Sequence, residues 1–338
     1  MNCTVDLPSV PYFGTQLDAS GARCGTGAPS CAEATRRISL AGYTHVQQTS
    51  SSDTHMTLVA QSQATKEWVH IRVYALEPLR RDVSLRDRVE RSVLVGRRVK
   101  HPCIVRVVGT FYSRTDLFVV EEYCPGGELL SWVETHCREA TTSGEECGRP
   151  VGLSTGFVKS VMRDVVSGMN YLHTECGVAH RGIKLENVLL NADNRAKLSN
   201  LGTCAVIPAD VNTDGTGGLL ELCCASRHYA APEVVMGQAY SGQLADVWAA
   251  GVLLFVLLTC RFPFEEVDGS QGSDGSGCND GALLRRICEA DEVLASHPAL
   301  VRVPDPLAVD LVRNMLRVST KARLTVEEVL QHPFLSLP

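Results

Sequence analysis

The sequence predicts an α+β fold of two lobes, small and β-rich at the amino-terminal end, larger and helical beyond it. The first observation is a set of β-rich runs, TLVAQ at 57–61, WVHIRVYAL at 68–76, IVRVVGTFY at 104–112 and DLFVVEEY at 116–123. Their β-branched and aromatic residues fit a pleated, half-buried surface. The second is the change of texture after Cys124-Pro125-Gly126-Gly127, where helical periodicity takes over. The third is size: 338 residues are enough for one large or two modest domains with a real core.

Taken in order, residues 1–40 are rich in Gly, Ser, Thr, Ala and Pro and lack periodicity, so they are expected to be a disordered extension. Residues 41–124 form the small lobe. One helical segment interrupts its strands at 85–99, with Val89, Val93, Gly96 and Val99 on one face. Residues 125–338 form the large lobe, with helical patterns at 128–136, 155–175, 244–260, 281–294 and 305–317. Two stretches, near 138–152 and 268–281, are too polar and Gly-rich to pack and are expected to be flexible insertions. The apolar run VWAAGVLLFVLLTC, 247–260, is shorter than the roughly 20 residues of a membrane span and reads as a helix buried on all sides. Two lobes of different character are expected to leave a ligand cleft between them.

Composition narrows the function. A net charge of −6 argues against nonspecific binding to nucleic acid or an anionic membrane. The fourteen cysteines show no CxxC spacing, and no apolar run follows a basic start. Free thiols, no zinc site, no signal peptide and a cytoplasmic or nuclear location are expected.

The ordered motifs carry more. HRGIKLEN at 180–187 resembles the HRDxKxxN catalytic loop of the protein kinase superfamily, KLSNLG at 197–202 resembles KLxDFG, YAAPE at 229–233 matches the APE element, and DVWAAGV at 246–252 resembles the helix that follows it. TKARLTVEEVLQHPFL is similar to the family's closing segment, and HPCIVRVVGTF and LFVVEEYCPGGELL to the strands and hinge before the helical lobe. The resemblance spans about residues 41–335 and implies a bilobal protein-kinase-like fold. Lys184 matches the serine/threonine branch.

Phosphoryl transfer depends on positioned phosphates, charge-neutralising metal ions and a group that orients the nucleophile. Against the family's pattern, Gly182 stands at the base position and has no side chain to accept a proton; losing a general base costs roughly 10²–10⁴-fold in rate. Glu186 is the nearest carboxylate that could substitute. Asn200 stands at a metal-binding Asp and brings no charge to a Mg²⁺ ion that favours carboxylates, while Asn187, the second metal position, and Lys184 are retained.

In WVHIRVYAL, alternation puts Val69, Ile71 and Val73 on one face and His70, Arg72 and Tyr74 on the other. By the resemblance, Arg72 replaces the phosphate-anchoring lysine, and its planar head does not reproduce a compact ammonium. His70 replaces the small residue that lies against adenine. No glycine occurs between Gly42 and Gly96, so the phosphate-covering hairpin, within 46–60, lacks its glycines. The helix glutamate that would pair with Arg72 is Glu90 by one count, whereas Ser92 takes the position by another. Glu121 falls just before the hinge Glu122-Tyr123-Cys124; a carboxylate there needs a partner, either Arg72 or His70. In the activation segment Leu222 replaces the phosphorylated threonine, with Thr213 or Thr216 as substitutes, and Ser226 replaces a threonine that contacts the catalytic loop. Arg181, which would bind that phosphate, is retained.

Architectural positions match where chemical ones do not. Glu233 and Arg323 are expected as a buried ion pair, and Asp246 as the anchor of the catalytic-loop backbone. The resemblance therefore implies a catalytically impaired, pseudokinase-type member with a degenerate ATP site, acting as a scaffold or allosteric regulator of a protein partner, an active kinase or its substrate. The alternative is a weakly active or unconventional serine/threonine kinase that transfers the ATP γ-phosphate to protein. No cofactor is expected, beyond weak binding of ATP and Mg²⁺.

Overall fold

The computed structural model describes residues 31–142, 152–207, 219–220, 226–265 and 280–336. The chain divides into two compact units, one from residues up to Arg98 and Arg106–Tyr123, the other from Val99–Val105 and Cys124 onward. The division falls one residue before the expected boundary at 124, and the Val99–Val105 segment joins the second unit. Backbone pairing explains that assignment: Val105 N donates to Leu198 O at 2.8 Å and Leu198 N to Cys103 O at 2.8 Å.

The first unit is built on a five-stranded sheet of order β1-β2-β3-β5-β4, made of β1 (Tyr43–Ser51), β2 (Met56–Ser62), β3 (Trp68–Ala75), β4 (Val107–Tyr112) and β5 (Asp116–Glu122). Each of these pairs is antiparallel. The alternation of β3 is realised. Val69, Ile71 and Val73 pack with Leu58, Phe118 and Val120 in one cluster, and Tyr74 packs on the other face with Leu117 and Val119. That second face is covered by α2 (Leu76–Arg81) and α3 (Val83–Arg98), whose Leu85, Val89 and Val93 are buried against it.

One expectation is corrected here. Residues 31–40 do not continue a disordered extension; Cys31–Leu40 is a helix, α1, and its Ala34 and Ile38 are 1% and 0% exposed in the first cluster. Two apolar residues four apart make one helical face, enough to dock a short helix that its polar remainder disguises. Residues 1–30 lie outside the described residues.

The second unit carries β6 (Gly127–Glu128), α4 (Leu129–Thr142), α5 (Thr155–Thr174), β7 (Val178–Ala179), β8 (Val188–Leu190) and β9 (Ala196–Leu198). It continues through β10 (Ala205–Val206), β11 (Leu219–Leu220), α6 (Pro232–Val235), β12 (Tyr240–Ser241) and α7 (Gly242–Thr259). Short helices follow, among them Asp280–Cys288, Ala290–Ala295, Pro306–Met315 and Val326–Gln331. The pattern at 281–294 therefore resolves into two helices, parted at Glu289 (φ −104°, ψ 23°).

Helix α7 is apolar all round because it is the axis of the unit: 83% of it is buried, which accounts for a composition that by length could cross a membrane. Its Trp248 is fully buried and stacks on Phe264 at 5.7 Å. Segments 143–151 and 266–279, which hold most of both expected insertions, lie outside the described residues. Cys31, Cys103 and Cys288 are free thiols, but Cys260 is disulfide-bonded, so the expectation of thiols throughout does not hold.

Candidate functional site

The first unit gathers its unusual residues on one face of the sheet. In the β3–β5 ladder His70 is directly opposite Glu121, and Arg72 opposite Val119, one step along the same face. Directly opposed residues sit about 5 Å apart at Cβ and diagonal ones within reach of a long side chain. Arg72 Nε accordingly lies 3.2 Å from Glu121 Oε2, and His70 Nδ1 3.6 Å from the same oxygen. Glu121 is 5% exposed. Burial alone would raise its pKa, but the charge of Arg72 and the neighbouring His70 and His55 outweigh it and hold the carboxyl below its usual range. It stays ionised.

Of the two counts for the helix glutamate, one gave Glu90 as the partner of Arg72 and the other put Ser92 at that position. Arg72 pairs with Glu121, and the charge of Glu90 acts on Tyr112. Ser92 is half-buried on α3. Glu122 ends β5 opposite Val69, with its N–H bonded to Arg106 O at 3.0 Å. Cys124 begins the second unit, 7% exposed, and its carbonyl accepts from Gly127 N at 3.1 Å.

One member of this cluster escaped the sequence reading. His55 comes from the β1–β2 turn, where Ser52 takes over the work of the absent glycines: its N–H donates to His55 O at 2.9 Å and its hydroxyl accepts from His55 N at 3.2 Å. The turn brings the His55 ring onto Tyr74, with centroids 5.0 Å apart. Burial first, then the charge of Arg72, lowers the His55 pKa to about 4, so the ring is neutral. His55, His70, Arg72, Tyr74 and Glu121 thus interact on one face. Alternation placed Tyr74 there, but nothing in the turn's composition showed how far it folds over.

The second unit positions the catalytic-loop residues through Asp246. One carboxylate oxygen accepts from Arg181 N at 2.7 Å; the other accepts from His180 N at 2.7 Å and faces His173 Nε2 at 2.9 Å. His180 is fully buried, donates from Nε2 to Ser199 O at 3.0 Å, and accepts Gly182 N on Nδ1 at 3.2 Å. Burial lowers its pKa despite Asp246, consistent with that neutral tautomer.

Around Gly182 the polar groups satisfy one another. Asn187 Nδ2 donates to Gly182 O at 2.7 Å, and Asn187 Oδ1 accepts from Asn200 Nδ2 at 3.2 Å. Asn200 has φ +61°, a left-handed backbone that asparagine tolerates better than most residues. A Cβ at Gly182 would sit 2.6 Å from Thr203 Oγ1. That hydroxyl donates to His180 O at 2.9 Å, and Arg181 Nε donates to Thr203 O at 3.0 Å. Thr203 is the second residue the sequence reading missed. Lys184 Nζ is 3.2 Å from Glu186 Oε1, so the nearest carboxylate that could replace the base is paired with its neighbour.

Asn187 and Asn200 stand at the two metal positions as neutral amides joined to each other. The two amides carry no charge, the Asn187 oxygen is already engaged, and no group of three or more His, Cys, Asp or Glu among the described residues could hold a metal ion. Leu222, Thr213 and Thr216 lie outside the described residues.

The architectural pair forms as expected. Arg323 Nη1 and Nη2 donate to the two Glu233 oxygens at 2.7 and 2.9 Å, with the guanidinium 5.0 Å over the Trp248 ring and a further bond to Leu244 O at 3.0 Å.

Fold and loop geometry together define a protein kinase domain. Residues 58–335 match the protein kinase domain family, and the chain belongs to that family. It is 32% identical over 247 residues to serine/threonine-protein kinase GIN4 of Saccharomyces cerevisiae, covering 73% of this chain and 19% of that protein. It is 32% identical over 270 residues to the maternal embryonic leucine zipper kinase of Danio rerio, covering 80% and 34%. It is 29% identical over 279 residues to serine/threonine protein kinase OSK3 of rice, covering 82% and 47%. The chain thus spans less than half the length of these relatives.

Proposed function

We propose that this kinase domain is impaired in phosphoryl transfer and acts as a scaffold or allosteric regulator of a protein partner, an active kinase or its substrate. The observation that carries the reading is the loop at Gly182. The base position has no side chain, and a Cβ there would meet the Thr203 hydroxyl at 2.6 Å. The Asn187–Asn200 hydrogen bond and the Arg72–Glu121 pair support it, because both engage groups that nucleotide binding would use. Weak binding of ATP and Mg²⁺ at most is part of the proposal.

A second reading, transfer of the ATP γ-phosphate to serine or threonine, is favoured by the names of the relatives and by the retained Lys184 and Asn187. Radiolabelled phosphate transfer from ATP with Mg²⁺, measured on protein freed of trace kinases, separates the two. No incorporation, together with no ATP-dependent rise in melting temperature, fits the first reading. Incorporation abolished by Lys184→Met establishes the second.

A further inference from the structure

A cavity of about 130 Å³ opens in the second unit beside Gly182, Lys184, Asn200, Ser226 and Tyr229. A site holds one water at roughly 10–15 Å³ on the same measure, so a ligand of several atoms fits. Its polar lining is unbalanced. Tyr229 is 5% exposed, and its hydroxyl accepts from Leu185 N at 3.4 Å, leaving the phenolic proton without an acceptor among the described residues. The Ser226 hydroxyl makes no hydrogen bond among the described residues. Lys184 has three ammonium protons and one bond, to Glu186 at 3.2 Å.

Three of the acceptors nearby are already used. Both Asp246 oxygens bind the 180–181 backbone, and Asn187 Oδ1 binds Asn200. Tyr229 is buried, Ser226 exposed and Lys184 partly exposed, and donors with protons to spare around one cavity favour a ligand that brings acceptor atoms. One ammonium, half-compensated by Glu186, matches a monoanion better than a dianion.

We propose that this cavity is a carboxylate-binding site, filled by a small carboxylate or by an acidic side chain of a bound polypeptide. The inference does not depend on whether the chain transfers phosphate, since it concerns only what the cavity binds.

The test is titration of the full chain with sodium formate or acetate against sodium chloride at equal ionic strength, read by melting temperature and by broadening of the ligand's carbon NMR signal. A saturable rise with the carboxylates, weakened about tenfold in Tyr229→Phe and in Ser226→Ala, is expected, as loss of a hydrogen bond to a charged group implies. Ser226 is exposed, so its variant keeps the test open should Tyr229→Phe not fold. A Glu-containing peptide that displaces acetate, when its Gln counterpart does not, identifies a side chain as the occupant; failure of both peptides identifies the free ion. Equal shifts with acetate and chloride, or acetate binding unchanged in both variants, overturn the proposal.

Discussion

Replacing Arg72 with methionine removes the main counter-charge of Glu121 and keeps most of the side chain's apolar length. The Glu121 side chain is 6% exposed and that of Arg72 is 16%, so this pair is far from the solvent-screened regime of surface ion pairs. Breaking a buried pair on one side costs about 3–5 kcal/mol, because a charge is left without compensation. The partial opening at Arg72 and the remaining contact to His70 at 3.6 Å place the expected loss near the lower end, about 3 kcal/mol. Arg72→Met combined with Glu121→Leu removes both charges and should recover most of that loss, since an apolar pair of similar volume is often neutral. Urea denaturation of the four proteins in the cycle, followed by fluorescence, gives the coupling directly. A loss below about 1 kcal/mol in Arg72→Met, or no recovery in the double variant, would refute the assignment of Glu121 as a charged group held by Arg72.

The His55 pKa of about 4, against an ordinary 6.5, means the unfolded chain takes up a proton more readily than the folded one, so stability is full above pH 6.5 and falls as pH drops toward 4. The enclosed limit is about 3 kcal/mol; solvent at the half-buried ring reduces this to about 1–2 kcal/mol. His55→Phe, which keeps the stack on Tyr74, should flatten stability over that interval, and an unchanged pH profile would count against it. Gly182→Ala should cost about 1–3 kcal/mol through the Thr203 contact. Thr203→Ala should relieve most of that in the double variant, whereas Thr203→Ser, with the same oxygen, should not; equal behaviour of the two by thermal denaturation would show that Thr203 is not the obstacle. Glu233→Ala leaves Arg323, whose side chain is fully buried, without its carboxylate, and should lower stability by about 3–5 kcal/mol in the same assay.

The β3 strand shows how far a sequence reading reaches. Period-2 alternation put His70, Arg72 and Tyr74 on one face, and the sheet obeys it because apolar side chains must turn inward together. The candidate carboxylate at 121 was also legible, since an acid in the run DLFVVEEY needs a partner. Which partner it takes was not. Arg72 could reach either Glu90 on α3 or Glu121 on β5, and only the register of β3 against β5 decides between them. The helix at Cys31–Leu40 was missed for a different reason: two apolar residues in ten are a faint signal until a sheet surface is present to receive them.

By itself, the sequence determined the family, the catalytic-loop register and the absence of a side chain at 182, since these depend only on residue identity and spacing along the chain. The tertiary structure decided the rest. It set Thr203 against Gly182, tied Asn200 to Asn187, and folded His55 over Tyr74. Such contacts join residues whose separation in space depends on loop and strand packing, and hydrophobic patterning carries no record of where a polar side chain finds its partner.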